Sequence, residues 1–150
     1  MIDLNTPIVP YKGTGIFELN DNYNNVVARM KSNHIEYDEE IIEHDYSDDP
    51  PWTIITIGDD DIELFFAKDR LWKITLCNNF KGALPNGINL DTPIVEAQRI
   101  DPTLKFDDWE EFFGSSNGYW IEDNLDTKKL LSITIFIPAV ESDDFYKYDW

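Results

Sequence analysis

Ile62-Glu63-Leu64-Phe65-Phe66 and Leu71-Trp72-Lys73-Ile74-Thr75-Leu76, set either side of the polar turn Lys68-Asp69-Arg70, decide how this chain folds. Both runs are dense in aromatic and branched apolar residues, and the link between them is too short for a crossover helix. They read as an antiparallel hairpin. Upstream, Trp52-Thr53-Ile54-Ile55-Thr56-Ile57 supplies a further strand, turned back at Gly58-Asp59-Asp60-Asp61. Downstream, Tyr119-Trp120-Ile121-Glu122 and Leu130-Leu131-Ser132-Ile133-Thr134-Ile135-Phe136-Ile137 form a second hairpin of the same kind. Trp72 and Trp120, inside these strands, are expected in the core.

Two helices precede these meanders. Tyr23, Val26, Val27 and Met30 recur at i, i+3, i+4 and i+7, which puts them on one helical face, with Asn20 or Asp21 as the expected cap. Asp91 or Thr92 is expected to cap a shorter helix carrying Ile94, Val95 and Ala97, with Pro93 in its first turn and an end before Pro102. Each helix is followed by an acidic, aromatic segment, His34 to Ile41 and Leu104 to Glu110, both read as strands. Gly15-Ile16 before the first helix has a counterpart in Gly87-Ile88 before the second. The expected class is therefore α+β: two related strand-helix-β-meander halves, residues about 15–80 and 87–138, forming mainly antiparallel sheet with few short helices. A small α+β domain without internal duplication would show the same order. Lys81 to Gly87 is the seam, too short and apolar for a flexible linker, so 1–150 reads as a single domain.

A chain of 150 residues with 42% hydrophobic and 14% aromatic content has material for a core, so its net charge of −18 does not imply disorder. That charge must lie mostly outside. With 12 basic residues against 30 acidic ones, nucleic acid and anionic membrane surfaces are excluded as partners, since both need Lys and Arg. No signal-peptide pattern opens the chain and no long apolar run crosses it, which points to the cytoplasm. Cys77 is the single cysteine, so no disulfide framework forms.

The charge is concentrated. Twelve acids and no Lys or Arg fall between Glu36 and Glu63, interleaved with Ile, Tyr, Trp and Phe. Glu36, Asp38 and Glu40 share a period of two, which puts them on one strand face with Ile35, Tyr37 and Ile41 on the other. Glu43, Asp45, Asp48, Asp49, Asp59, Asp60 and Asp61 extend the negative surface, and Asp107 and Asp108 form a second patch. Tyr46, Trp52, Trp109 and Trp150 adjoin acids, so they are candidate aromatic anchors for a basic partner. A solvated face with no partner would have the same composition.

No reaction chemistry emerges. Glu43-His44-Asp45 with His34 lacks further ligand spacing for a metal, and both histidines read as solvated strand residues. Asp59-Asp60-Asp61 lacks the glycine and closing Glu of a calcium loop. Ser115 and Ser116 lie outside a nucleophile elbow, and Asn117-Gly118 is a hairpin turn. The chain reads as a binding protein, not an enzyme, with no cofactor.

Small size, acidity, aromatic strands and Gly15-Ile16-Phe17-Glu18-Leu19 before an amphipathic helix and a β-meander resemble the immunity proteins of contact-dependent growth inhibition, a bacterial polymorphic-toxin system. The likeness spans most of the chain and includes no diagnostic motif. It implies binding to one cognate toxin domain, expected to be a basic nuclease, whose active site or substrate groove the protein blocks. The alternative is a nucleic-acid mimic that regulates a DNA- or RNA-acting enzyme through charge alone. A small hydrolase using carboxylates is a third reading.

Overall fold

The computed structural model describes residues 2–150. Its elements, in chain order, are β1 (Ile8–Val9), β2 (Gly13–Thr14), β3 (Phe17–Glu18), α1 (Tyr23–Ser32), β4 (Tyr37–Ile42), β5 (Trp52–Ile57), β6 (Ile62–Ala67), β7 (Arg70–Cys77), α2 (Ile94–Ile100), β8 (Lys105–Asp107), β9 (Phe112–Gly114), β10 (Tyr119–Asp123) and β11 (Leu130–Phe136). Strands β4 to β11 form one eight-stranded antiparallel sheet in the order β4-β5-β6-β7-β11-β10-β9-β8. Two four-stranded meanders thus join edge to edge through the longest strands, β7 and β11. The fold class is α+β, mainly antiparallel sheet with two helices, as the strand and helix patterns indicate.

Alternation sorts the sheet into two faces. Ile55, Ile57, Ile62, Leu64, Ile74, Leu76, Ile121, Ile133 and Ile135 are buried on one face, in a single cluster with Val26 and Met30 of α1, Ala97 of α2 and Ile8 and Phe17 of the small β1-β2-β3 sheet. The register places Ile57, Ile62, Leu76, Ile133 and Ile121 in one row across five strands. Full burial of such side chains contributes about 1.5–3 kcal/mol each, which is where the stability of this face originates. Gly82 lets the seam pass close to the N-terminal segment: a Cβ there would lie 1.9 Å from the Thr6 carbonyl oxygen.

The opposite face is only partly roofed. A register shift between Phe65 and Phe66 leaves Trp72 as the extra residue of a bulge, and it is 3% exposed. The C-terminal segment, with short 3-10 helices at Pro138–Glu141 and Phe145–Lys147, covers it. Phe145, Trp150 and Trp52 pack around Trp72, and Trp150 stacks on Phe145 with ring planes 1° apart.

Several local expectations are corrected. The α1 cap is Asn22, whose side chain accepts from the Asn25 N–H, while Asp21 pairs with Arg29 at 3.0 Å and Asn20 takes a positive φ. Pro93 sits at the α2 cap position with no side-chain cap bond, and Thr92 instead accepts from the Asn89 N–H. No strand runs through residues 87–92, so the second helix has no counterpart to β3. The segment 104–110 is not one strand: β8 stops at Asp107, whose Oδ1 accepts the N–H groups of Trp109 and Glu110 and turns the chain. Trp120 is half-buried on the partly open face, stacked on Phe112, rather than in the core.

Candidate partner-binding surface

β4 is the outermost strand of the sheet, hydrogen-bonded to β5 alone. Asp38, Glu39 and Glu40 on it, and Glu36 just before it, are all exposed. Asp38 lies opposite Thr56 and Glu40 opposite Ile54, so both belong to the partly open face, as period two requires. Tyr37, Glu39 and Ile41 belong to the helix-covered side, but this side ends here and Ile41 is 60% exposed. Glu39 accepts the Tyr23 hydroxyl, and that bond, with burial, pushes the phenol pKa up to about 12. The contact fixes the edge strand to α1.

The loop after β4 carries Glu43, Asp45, Tyr46, Asp48 and Asp49. All but the half-buried Asp49 are exposed, and Tyr46 projects freely into solvent. His44 is not a solvated strand residue: its ring sits edge-on to Trp52 at 4.9 Å. His34 lies in the turn after α1 with φ +55°. Trp52 is drawn inward too, contacting Trp72 and donating its indole N–H to the Tyr148 hydroxyl at 3.3 Å. It is a packing residue, and so is Trp150, whose indole N–H is held by the Phe145 carbonyl.

Asp59 and Asp60 are exposed at the β5–β6 turn, but Asp61 is 5% exposed and serves the fold. Its Oδ1 accepts from the backbone and side-chain nitrogens of Asn79, each at 3.0 Å, and Oδ2 accepts the Asp59 N–H. Asp107, Asp108 and Trp109 sit at the β8–β9 end of the sheet, and Trp109 is 91% exposed. The two acidic patches therefore belong to opposite edges in strand order, with six strands between β4 and β8.

Sequence reading missed what lies between them on the partly open face. Pairing puts Glu63, Thr75, Thr134 and Trp120 in one row, Phe65, Lys73 and Phe136 in the next, and Cys77, Ser132 and Glu122 in a third. With Glu110 from the β8–β9 turn and Phe112, all of these residues but Phe136 and Cys77 line a groove of about 240 Å³. The Lys73 ammonium rests 4.0 Å from the centre of the Phe65 ring and 5.0 Å from that of Trp72. Burial lowers the Lys73 pKa against the opposing pull of Glu63, Glu110 and Glu122; burial, then Asp60, raises that of Glu63. One cation among three carboxylates leaves the groove negative. Glu122 shares the strand face of Trp120, a residue expected in the core, and only the register brings Glu122 and Glu63 onto one groove.

A second polar cluster has a different character. The Asp101 carboxylate, 3% exposed just after α2, accepts from Ser115 Oγ at 2.5 Å, Thr103 Oγ1 at 2.6 Å, the Thr103 N–H at 3.0 Å, Asn117 Nδ2 at 3.1 Å and the Tyr119 hydroxyl. Burial pushes this carboxyl up, but the four side-chain donors outweigh it and hold the group well below the usual carboxylate range. Every partner donates to the Asp101 carboxylate, whose lowered pKa makes it a weak base toward Ser115, and the cluster ties α2 to the β9–β10 turn.

Among the described residues, no three or more of His, Cys, Asp and Glu converge as metal ligands, and no helix is long and apolar enough to cross a membrane. The arrangement offers charge, a free strand edge and two free aromatic side chains, Tyr46 and Trp109. Such an arrangement can attract cations. No protein-family model, curated protein or solved structure matched this chain.

Proposed function

We propose that this chain is a cytoplasmic immunity protein that binds a basic toxin domain, of the nuclease class, and blocks its substrate groove. One observation carries the reading. Twelve acids with no Lys or Arg between Lys31 and Lys68 are held on and around an ordered edge strand, where most of them face solvent. Like charges held side by side repel, and the strain is relieved when a cationic surface docks. A nuclease groove built to replace the counterions of a phosphate backbone is a surface of that sign and extent. Charge complementarity of this kind speeds encounter and rejects wrong partners more than it adds affinity, so the exposed Tyr46 and Trp109 are the candidate anchors for selectivity.

The test is growth protection. Any basic C-terminal domain of a large secreted protein found encoded beside this chain is expressed alone to test for growth arrest, and then together with it. Protection is expected, together with a complex that survives raised salt. Protection should be lost on Asp38→Lys with Glu40→Lys. Failure of every neighbouring toxin domain to be neutralised would refute the proposal. Binding to several unrelated nucleic-acid enzymes, abolished by moderate salt, would favour the mimic instead.

A further inference from the structure

We infer that the free edge of β4 is a strand-addition site, which takes an extended, lysine- or arginine-rich segment of the protein partner as a ninth strand of the sheet. The inference rests on the basic-partner reading above and specifies how that partner is held. β4 is six residues long and pairs with β5 without a register shift, so its other edge presents an unbroken row of backbone N–H and C=O groups. Natural sheets blunt such edges with proline, lysine, bulges, very short strands or a covering element. The opposite edge strand, β8, has only three residues. β4 has no proline, lysine or bulge, and Asp38 to Ile41 are all exposed. Carboxylates are its one guard.

That guard also names the occupant. A second copy of this chain pairing through β4 would set Asp38, Glu39 and Glu40 against the same residues, and like charges across a strand pair are destabilising. A strand bearing Lys or Arg meets Asp38 and Glu40 on one face and Glu39 on the other. Recesses flank both ends of the strand. Ile35, Tyr37, Thr56 and Gly58 line one; Ile41, Pro50, Pro51 and Phe66 line the other, where an apolar side chain of the added strand would cover Ile41. Backbone bonds for affinity with side-chain recesses for specificity are the physics of strand addition. The Tyr23–Glu39 contact already holds β4 in place, so little ordering is needed on binding.

The probe is a capped heptapeptide of alternating Lys and Val, compared with the same peptide N-methylated at every backbone nitrogen. Methylation keeps length and charge but removes the donors. Affinity is measured by calorimetry, and β4 amide exchange by NMR. The unmethylated peptide is expected to slow exchange at the outward β4 amides and to bind at least about tenfold more tightly than the methylated one. The Asp38→Lys, Glu40→Lys variant should prefer an alternating Glu and Val peptide. Equal affinity for the two lysine peptides, binding without β4 protection, or no binding up to about 1 mM would each overturn the inference. Growth protection by the intact chain, with the peptide result negative, would leave the inhibitor reading standing and remove only the edge; the reverse outcome would do the opposite.

Discussion

Replacing Asp101 by Ala tests whether the second meander is held by its buried carboxylate. Five donors converge on a side chain that is 3% exposed. Hydrogen bonds to a charged acceptor contribute about 1.5–3 kcal/mol each, but the Thr103 hydroxyl and the Asn117 side-chain amide, both on exposed residues, can turn to solvent when the acceptor is lost. The Tyr119 hydroxyl and Ser115 Oγ belong to residues only 1% and 8% exposed, and they are left without this acceptor. Two stranded donors at about 1–3 kcal/mol each give a cost of about 2–6 kcal/mol. At about 2–4 °C per kcal/mol for a chain near this size, the midpoint falls by roughly 10 °C.

The same carboxylate sets an acid limit. A carboxyl whose folded pKa lies below its unfolded value contributes stability above the unfolded value, about 3.9, and loses it as pH falls through the folded one. The wild type should therefore lose stability more steeply than Asp101→Ala below about pH 4, and the two curves should converge. Calorimetry from pH 7 down to about pH 2 reads both effects. A cost below about 1 kcal/mol at neutral pH, or parallel pH profiles, would refute the assignment.

Two other residues carry separate predictions. Lys73→Met removes the cation that lowers the Glu63 pKa, so the Glu63 carboxyl, already raised by burial, should titrate higher still by carbon-13 NMR; no movement would separate the two groups. Trp150→Ala removes the ring stacked on Phe145 and uncovers Trp72, so emission should shift to longer wavelength and stability fall by about 2–4 kcal/mol in urea unfolding, whereas unchanged emission would place the roof elsewhere.

Strand existence was legible because the signal is local. The runs at 52–57, 62–66, 71–76, 119–122 and 130–137 follow directly from β-branched and aromatic density between polar turns, and α1 from its apolar spacing. Burial direction was not always legible. Trp52 and Trp109 both adjoin acids, yet one packs on Trp72 and the other projects from a hairpin turn. Trp52 opens an apolar strand run and Trp109 sits between paired acids, but the contact of Trp52 with Trp72 depends on strands brought together by the fold. Asp61 looks like its two neighbours in sequence, but Asn79, eighteen residues on, claims its carboxylate.

Sequence by itself determined the class of fold, the excess of carboxylates and their concentration between Glu36 and Glu63, because composition and periodicity are properties of neighbouring residues. Tertiary structure alone decided that the two meanders meet through β7 and β11, that the two acidic patches lie on opposite edges, and that Glu63, Lys73, Glu110 and Glu122 share a groove. Those facts depend on register between strands far apart in the chain. A slip of one residue would reverse every side chain, and the apolar rows on the helix-covered face fix which register wins.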